Sequence, residues 1–106
     1  MKISEAQKMI KKFAEDNGWK DEPNIDKFDH VHEELLEMSR HLRYKELHER
    51  KEIIKEKSDV FEDGIGDLLF VSLRLANQLN VDAEKAFEKV SKTIINRYGG
   101  KEEHKS

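Results

Sequence analysis

The sequence predicts an all-α domain: a bundle of four to five helices, residues 1–100, completed by oligomerisation. Three observations lead there. Apolar residues recur at three- and four-residue steps along nearly the whole chain, no segment shows the two-residue alternation of a half-buried strand, and only 36% of the 106 residues are hydrophobic. So thin an apolar supply leaves a small core, and small helical chains of this kind commonly finish their core across a subunit boundary, so a homodimer or a dimer of dimers is expected.

The first helix is marked by Ser4 and Gln7 at capping-box spacing, an apolar stripe of Ile3, Ala6, Met9, Ile10, Phe13 and Ala14, and a stop at Asn17-Gly18. A loop follows with the only proline and the only tryptophan, Pro23 and Trp19. Asp26 is the expected N-cap of a second helix from about Lys27 to Arg43, with Phe28, Val31, Leu35, Met38 and Leu42 on its buried face. Residues 43–58 hold ten charged side chains around a weak apolar pattern, Leu47 with Ile53 and Ile54. A solvated helix or helical connector fits that composition, supported by pairs such as Glu46 with Arg50.

A long helix is predicted from near Asp59 to about Leu79. Phe61, Ile65, Leu68, Ser72, Leu75 and Leu79 line one face, and Leu69, Phe70 and Val71 widen it. A stripe that wide implies burial on more than one side. Asp82 then caps a last helix through Ala83, Ala86, Phe87, Val90, Ile94 and Tyr98, with Gly99-Gly100 as its stop and residues 101–106 as a disordered tail.

Charge narrows the function classes. Twenty basic against 23 acidic side chains leave a net charge of -3, so the chain carries no bulk field for nucleic acid or an anionic membrane. Without cysteine there is no disulfide framework and no thiolate ligand, and a metal site must use oxygen or imidazole. The N-terminal residues lack the apolar run of a signal peptide and no stretch approaches the ~20 apolar residues of a membrane span, so a cytoplasmic protein is expected.

Two acidic clusters stand out: Glu33-Glu34-Leu35-Leu36-Glu37 in the second helix and Asp63-Gly64-Ile65-Gly66-Asp67 in the long one. Residues three or four apart share a helix face, so Glu34 with Glu37 and Asp63 with Asp67 can converge. They flank the apolar stripes instead of opposing them. Carboxylates held together in a partly buried groove repel one another unless a cation or proton neutralises them, and a hard divalent cation, magnesium or manganese, suits an all-oxygen donor set. Gly64 and Gly66 interrupt a strongly helical segment, each at about 1 kcal/mol relative to alanine. Either a close approach by a helix or ligand, or a distorted first turn, explains them.

With these residues the chain resembles the MazG-type all-α nucleoside triphosphate pyrophosphohydrolases, relatives of the dimeric dUTPases. The resemblance covers about residues 18–98. It rests on EELLE at 33–37, similar to the family's EExxE, on GDLLF at 66–70 followed by LANQLNVDAEKAF, and on KVSKTIINRY at 89–98, similar to the family's basic, aromatic-ended last helix. It implies magnesium-dependent hydrolysis of a nucleoside triphosphate to the monophosphate and pyrophosphate. Glu34, Glu37 and Asp67 are then metal ligands, and Glu33 or Glu34 orients the attacking water or takes its proton. Lys89 and Arg97 neutralise phosphate, with Lys92 and Arg74 as further candidates, and Trp19 either plugs the core or stacks on the base.

The chain departs from the family's second motif, ExxD, because Gly64 stands three residues before Asp67. Asp63, at i-4 from Asp67, can take over the missing ligand with a shift of about a third of a turn. The alternative is a non-catalytic helical dimerisation or regulatory module that has lost its metal. His30 and His41, four residues either side of Glu34 and Glu37, also suggest a carboxylate-histidine di-iron bundle, but such bundles use Glu-x-x-His on two helices and no such tetrad occurs.

Overall fold

The computed structural model describes residues 1–23 and 25–103. They form five helices: α1 (Ile3–Asp16), α2 (Ile25–Arg40), α3 (Leu47–Glu56), α4 (Ser58–Gln78) and α5 (Ala83–Glu103). No strand occurs among the described residues. None of their helices is long and apolar enough to cross a membrane.

Two helix stops share one mechanism. Gly18 at φ 70 and Asn80 at φ 56 take the left-handed conformation just past α1 and α4. In both, the next amide reaches back five residues, from Trp19 N–H to the Ala14 carbonyl at 2.8 Å and from Val81 N–H to the Ala76 carbonyl at 2.9 Å. Gly18 and Asn80 themselves donate to the carbonyls of Glu15 and Asn77, which completes a Schellman motif at each end. The turn after α4 then enters α5 through Asp82, whose carboxylate accepts the Lys85 amide at 3.0 Å, the N-cap expected of it.

Other boundaries differ from expectation. Lys2, not Ser4, is the N-cap of α1. Ser4 and Gln7 turn away to the far end of the chain: the Ser4 amide donates to Glu84 Oε1 at 3.3 Å, while Gln7 donates to the Val81 carbonyl at 2.7 Å and accepts the Ala83 amide at 2.9 Å. Asp26 lies inside the first turn of α2 instead of capping it, and α2 stops at Arg40, where the chain turns through residues 41–44 with Tyr44 at φ 65. The connector is a helix in its own right. Glu46 does not pair with Arg50; its amide donates to Glu49 Oε1 at α3's start, and Arg50 Nε donates to the Lys45 carbonyl. Gly99-Gly100 does not stop α5, whose backbone continues to Glu103, so the expected tail is helical at 101–103 and otherwise lies outside the described residues.

Helix α4 is the centre of the molecule. It packs most extensively against α2 and α1 and also touches α3, whereas α5 meets the rest of the chain chiefly through α1. Helices α2 and α4 run antiparallel, because Met38 lies over Gly64 while the His41 ring, just past the end of α2, stands 6.1 Å edge-on from that of Phe61, earlier in α4. The close crossing depends on a missing side chain. A Cβ at Gly64 would fall 2.5 Å from Met38 Sδ and 2.8 Å from its Cγ, so the glycine is there for helix approach and not for a distorted first turn.

The buried apolar core is small: Ile10, Ala14 and Val71 among the described residues, joined by Arg74 and Gln78. The face of α2 turned to α4 carries Glu34 and Met38, so the apolar stripe expected to be buried lies to one side. Phe28 is 47% and Leu35 51% exposed, while Val31, Met38 and Leu42 are half-buried. The chain is correspondingly open, with a radius of gyration of 17.4 Å. A compact domain of this length would have about 13 Å.

Candidate metal centre

The antiparallel crossing of α2 and α4 decides which acids meet. Glu34 sits one turn before Met38 and so faces α4, while Asp63 and Asp67 bracket Gly64 on the other helix. Glu34, Glu37, Asp63 and Asp67 line one pocket of about 230 Å³, together with Met38, Val60 and Gly64. Glu34 is the most enclosed of the four. Its side chain is 15% exposed, and its Oε1 stands 3.4 Å from His30 Nε2, a contact that is ionic only when the imidazole is protonated. Glu37, Asp63 and Asp67 are exposed at the pocket's rim.

The donor chemistry, carboxylate oxygens in a shallow groove, fits a hard divalent cation. The acids ring the pocket without closing on a point: no three His, Asp or Glu side chains among the described residues stand close enough together to hold a metal ion. Glu33 is exposed and is not part of the lining. His41 lies against Phe61, and the two histidines do not assemble a carboxylate-histidine tetrad with these acids.

The expected phosphate-binding groups are scattered. Lys89, Lys92 and Arg97 are exposed on α5, and none of them lines the pocket. On a helical projection Lys89 and Lys92 fall opposite the stripe of Phe87, Val90, Ile94 and Tyr98, whereas Arg97 borders it. Arg74 is buried, 7% exposed, and stacks its guanidinium 4.8 Å from the centre of the Trp19 ring. Trp19 also meets Phe13 edge-on at 5.3 Å. These two candidates therefore belong to one cluster that fastens the α1–α2 loop to α4.

That cluster holds residues the sequence did not single out. Arg74 Nη1 and Asp21 Oδ1 are 3.6 Å apart, an ion pair too long for a hydrogen bond. Arg74 Nε and Nη1, Asp21 Oδ1 and Gln78 Oε1 are buried without a hydrogen-bond partner. The signal for Gln78 was legible: it stands four residues after Arg74, on the same face as Gly64 and Val71. Asp21, in an irregular loop, offered no periodicity to read. Gln7 was also missed as a contact to the α4–α5 turn, because capping-box spacing gave it a local explanation.

Comparison with protein-family models, curated proteins and solved structures finds no match for this chain.

Proposed function

We propose that the pocket between α2 and α4 binds magnesium, or manganese in its place, and that the protein hydrolyses nucleoside triphosphates to the monophosphate and pyrophosphate. The observation that carries this reading is that Glu34, Glu37, Asp63 and Asp67, drawn from two separate sequence clusters, line one pocket. The resemblance of EELLE and GDLLF to MazG-type motifs supplies the reaction class. A bound divalent cation would neutralise phosphate oxygens and make a coordinated water more acidic.

The chain's own residues divide the remaining work. Glu34, the least exposed of the acids and beside His30, would hold the ion together with Glu37, Asp63 and Asp67 at the rim. Asp63 stands in for the glutamate that Gly64 replaces. Glu33, one residue from Glu34 and exposed, is in reach of solvent water and orients the attacking molecule or accepts its proton. Lys89 and Arg97 are the basic residues that the resemblance sets against phosphate, and both lie on α5 outside the pocket. Arg74 and Trp19 act by fixing the loop ahead of α2. The bundle works as an oligomer.

A second reading is favoured by Gly64 lying under Met38 and by the acids' lack of convergence: a non-catalytic dimerisation or regulatory module. Purified protein incubated with each standard nucleoside triphosphate and magnesium separates the two. Magnesium-dependent pyrophosphate release supports the hydrolase. Folded protein that releases none, with any nucleotide and with either metal, leaves the module.

A further inference from the structure

We infer that the pocket where α1 meets the turn from α4 into α5 is a binding site for a small hydroxylated phosphomonoester, a sugar phosphate by chemical class. It holds about 290 Å³ and takes its walls from Lys8 and Lys11 on α1 and from Asn77, Asn80 and Asp82 at the turn. Small-molecule pockets run from roughly 300 Å³ upward, so this one suits a compact metabolite. It shares no lining residue with the pocket of Glu34, Glu37, Asp63 and Asp67.

Two unpaired cations give the pocket its sign. Lys8 and Lys11 are three residues apart and so share one face of α1. Neighbouring Lys12 pairs with Asp16 at 3.0 Å, whereas Lys11, with Glu15 four residues on, makes no ion pair among the described residues, and neither does Lys8. Two ammonium groups lining one pocket repel each other, and an anion relieves them. Phosphate does so best, because its several oxygens accept charge-assisted hydrogen bonds from both. The same two charges turn away a metal cation.

The opposite wall suits hydroxyl groups. Asn77 donates one N–H to the Gln7 carbonyl at 3.3 Å and keeps its carboxamide oxygen, while the Asn80 side chain makes no hydrogen bond among the described residues. Asp82 Oδ1 accepts the Lys85 amide, which leaves Oδ2 to accept a hydroxyl and to repel phosphate. The ligand is thereby oriented, phosphate toward α1 and hydroxyls toward the turn. No aromatic side chain lines the pocket, so nothing there stacks a base, and a sugar phosphate fits better than a nucleotide. Helix α5 meets the rest of the chain chiefly through α1. A ligand that bridges α1 and the turn therefore holds α5 more firmly.

Calorimetric titration of the full chain in EDTA, with ribose 5-phosphate, inorganic phosphate and ribose as probes, tests the site. Ribose 5-phosphate should bind at least tenfold more tightly than ribose and at least threefold more tightly than inorganic phosphate, and it should raise the thermal midpoint. Lys8→Gln combined with Lys11→Gln should weaken it at least tenfold. Lys51→Gln combined with Lys55→Gln, both exposed on α3, removes as much charge elsewhere and should leave binding unchanged. Asn80→Gly keeps the left-handed turn, which glycine adopts freely, and should erase the advantage of ribose 5-phosphate over phosphate. Folded protein that binds no ribose 5-phosphate at about 10 mM overturns the inference, as does binding that survives loss of Lys8 and Lys11 or falls equally with Lys51 and Lys55. Phosphate bound as tightly as ribose 5-phosphate overturns the hydroxylated class. With metal chelated and no triphosphate present, failure here is distinguishable from failure of the proposed hydrolysis.

Discussion

At Gly64 two demands meet on one residue. The proposed metal centre asks for a carboxylate three positions before Asp67, and the crossing with α2 asks for no side chain at all. The crossing prevails: a Cβ would strike Met38. Methionine is flexible enough to yield to one methyl group, but a whole glutamate must displace α2, so Gly64→Glu should destabilise the protein by about 1–3 kcal/mol in urea titrations. If Asp63 serves in its stead, Asp63→Asn should cut magnesium-dependent hydrolysis at least tenfold without changing the denaturation midpoint. Glu37→Gln should lose most manganese binding in calorimetry while metal-free stability stays level or rises by a few tenths of a kcal/mol, because one of several like charges is gone. The acids themselves were legible from helical spacing alone. Arg74's burial against Trp19 was not, because a loop tryptophan carries no period that says which helix it will meet.

Among the elements, α4 shows what periodicity can and cannot tell. Its wide apolar stripe was readable, and so was its length to within a residue or two. Which part of the stripe would face its own chain was hidden, because that choice is made by Gly64, a residue with no side chain to count. Gly66 gives the contrast: a Cβ there meets nothing within 4 Å. Gly66→Ala should therefore raise stability by about 0.5–1 kcal/mol, measured as a higher urea midpoint with an unchanged slope, since only the helix propensity changes. The start of α2 was misplaced for a physical reason as well: Asp26 is as comfortable in a first turn, beside the positive end of the helix dipole, as at an N-cap.

For the whole molecule, a thin core and a large radius of gyration have a common origin in composition. The three apolar side chains buried among the described residues cannot by themselves offset the chain entropy of five helices. The thin apolar supply was legible in the composition, but which apolar faces it leaves exposed became visible only once α2 and α4 were set antiparallel. If those faces are closed by a second copy, unfolding exposes the interface along with the core. The urea dependence of stability should then be steeper than about 1–1.5 kcal/mol/M, the range suited to a monomer of this size, and the midpoint should shift with protein concentration.

The clasp of Gln7 on residues 81 and 83 also sets an order of events. Its two hydrogen bonds join positions 74 and 76 apart in the chain. During synthesis α1 is finished long before its partner exists, and nothing can hold the base of α5 until nearly the last turn of α4 has emerged. The longest loop in the molecule is thus closed by its first helix and among the last of its steps. A chain cut before Asn80 contains the residues of α1 to α4 but neither α5 nor the positions that Gln7 clasps.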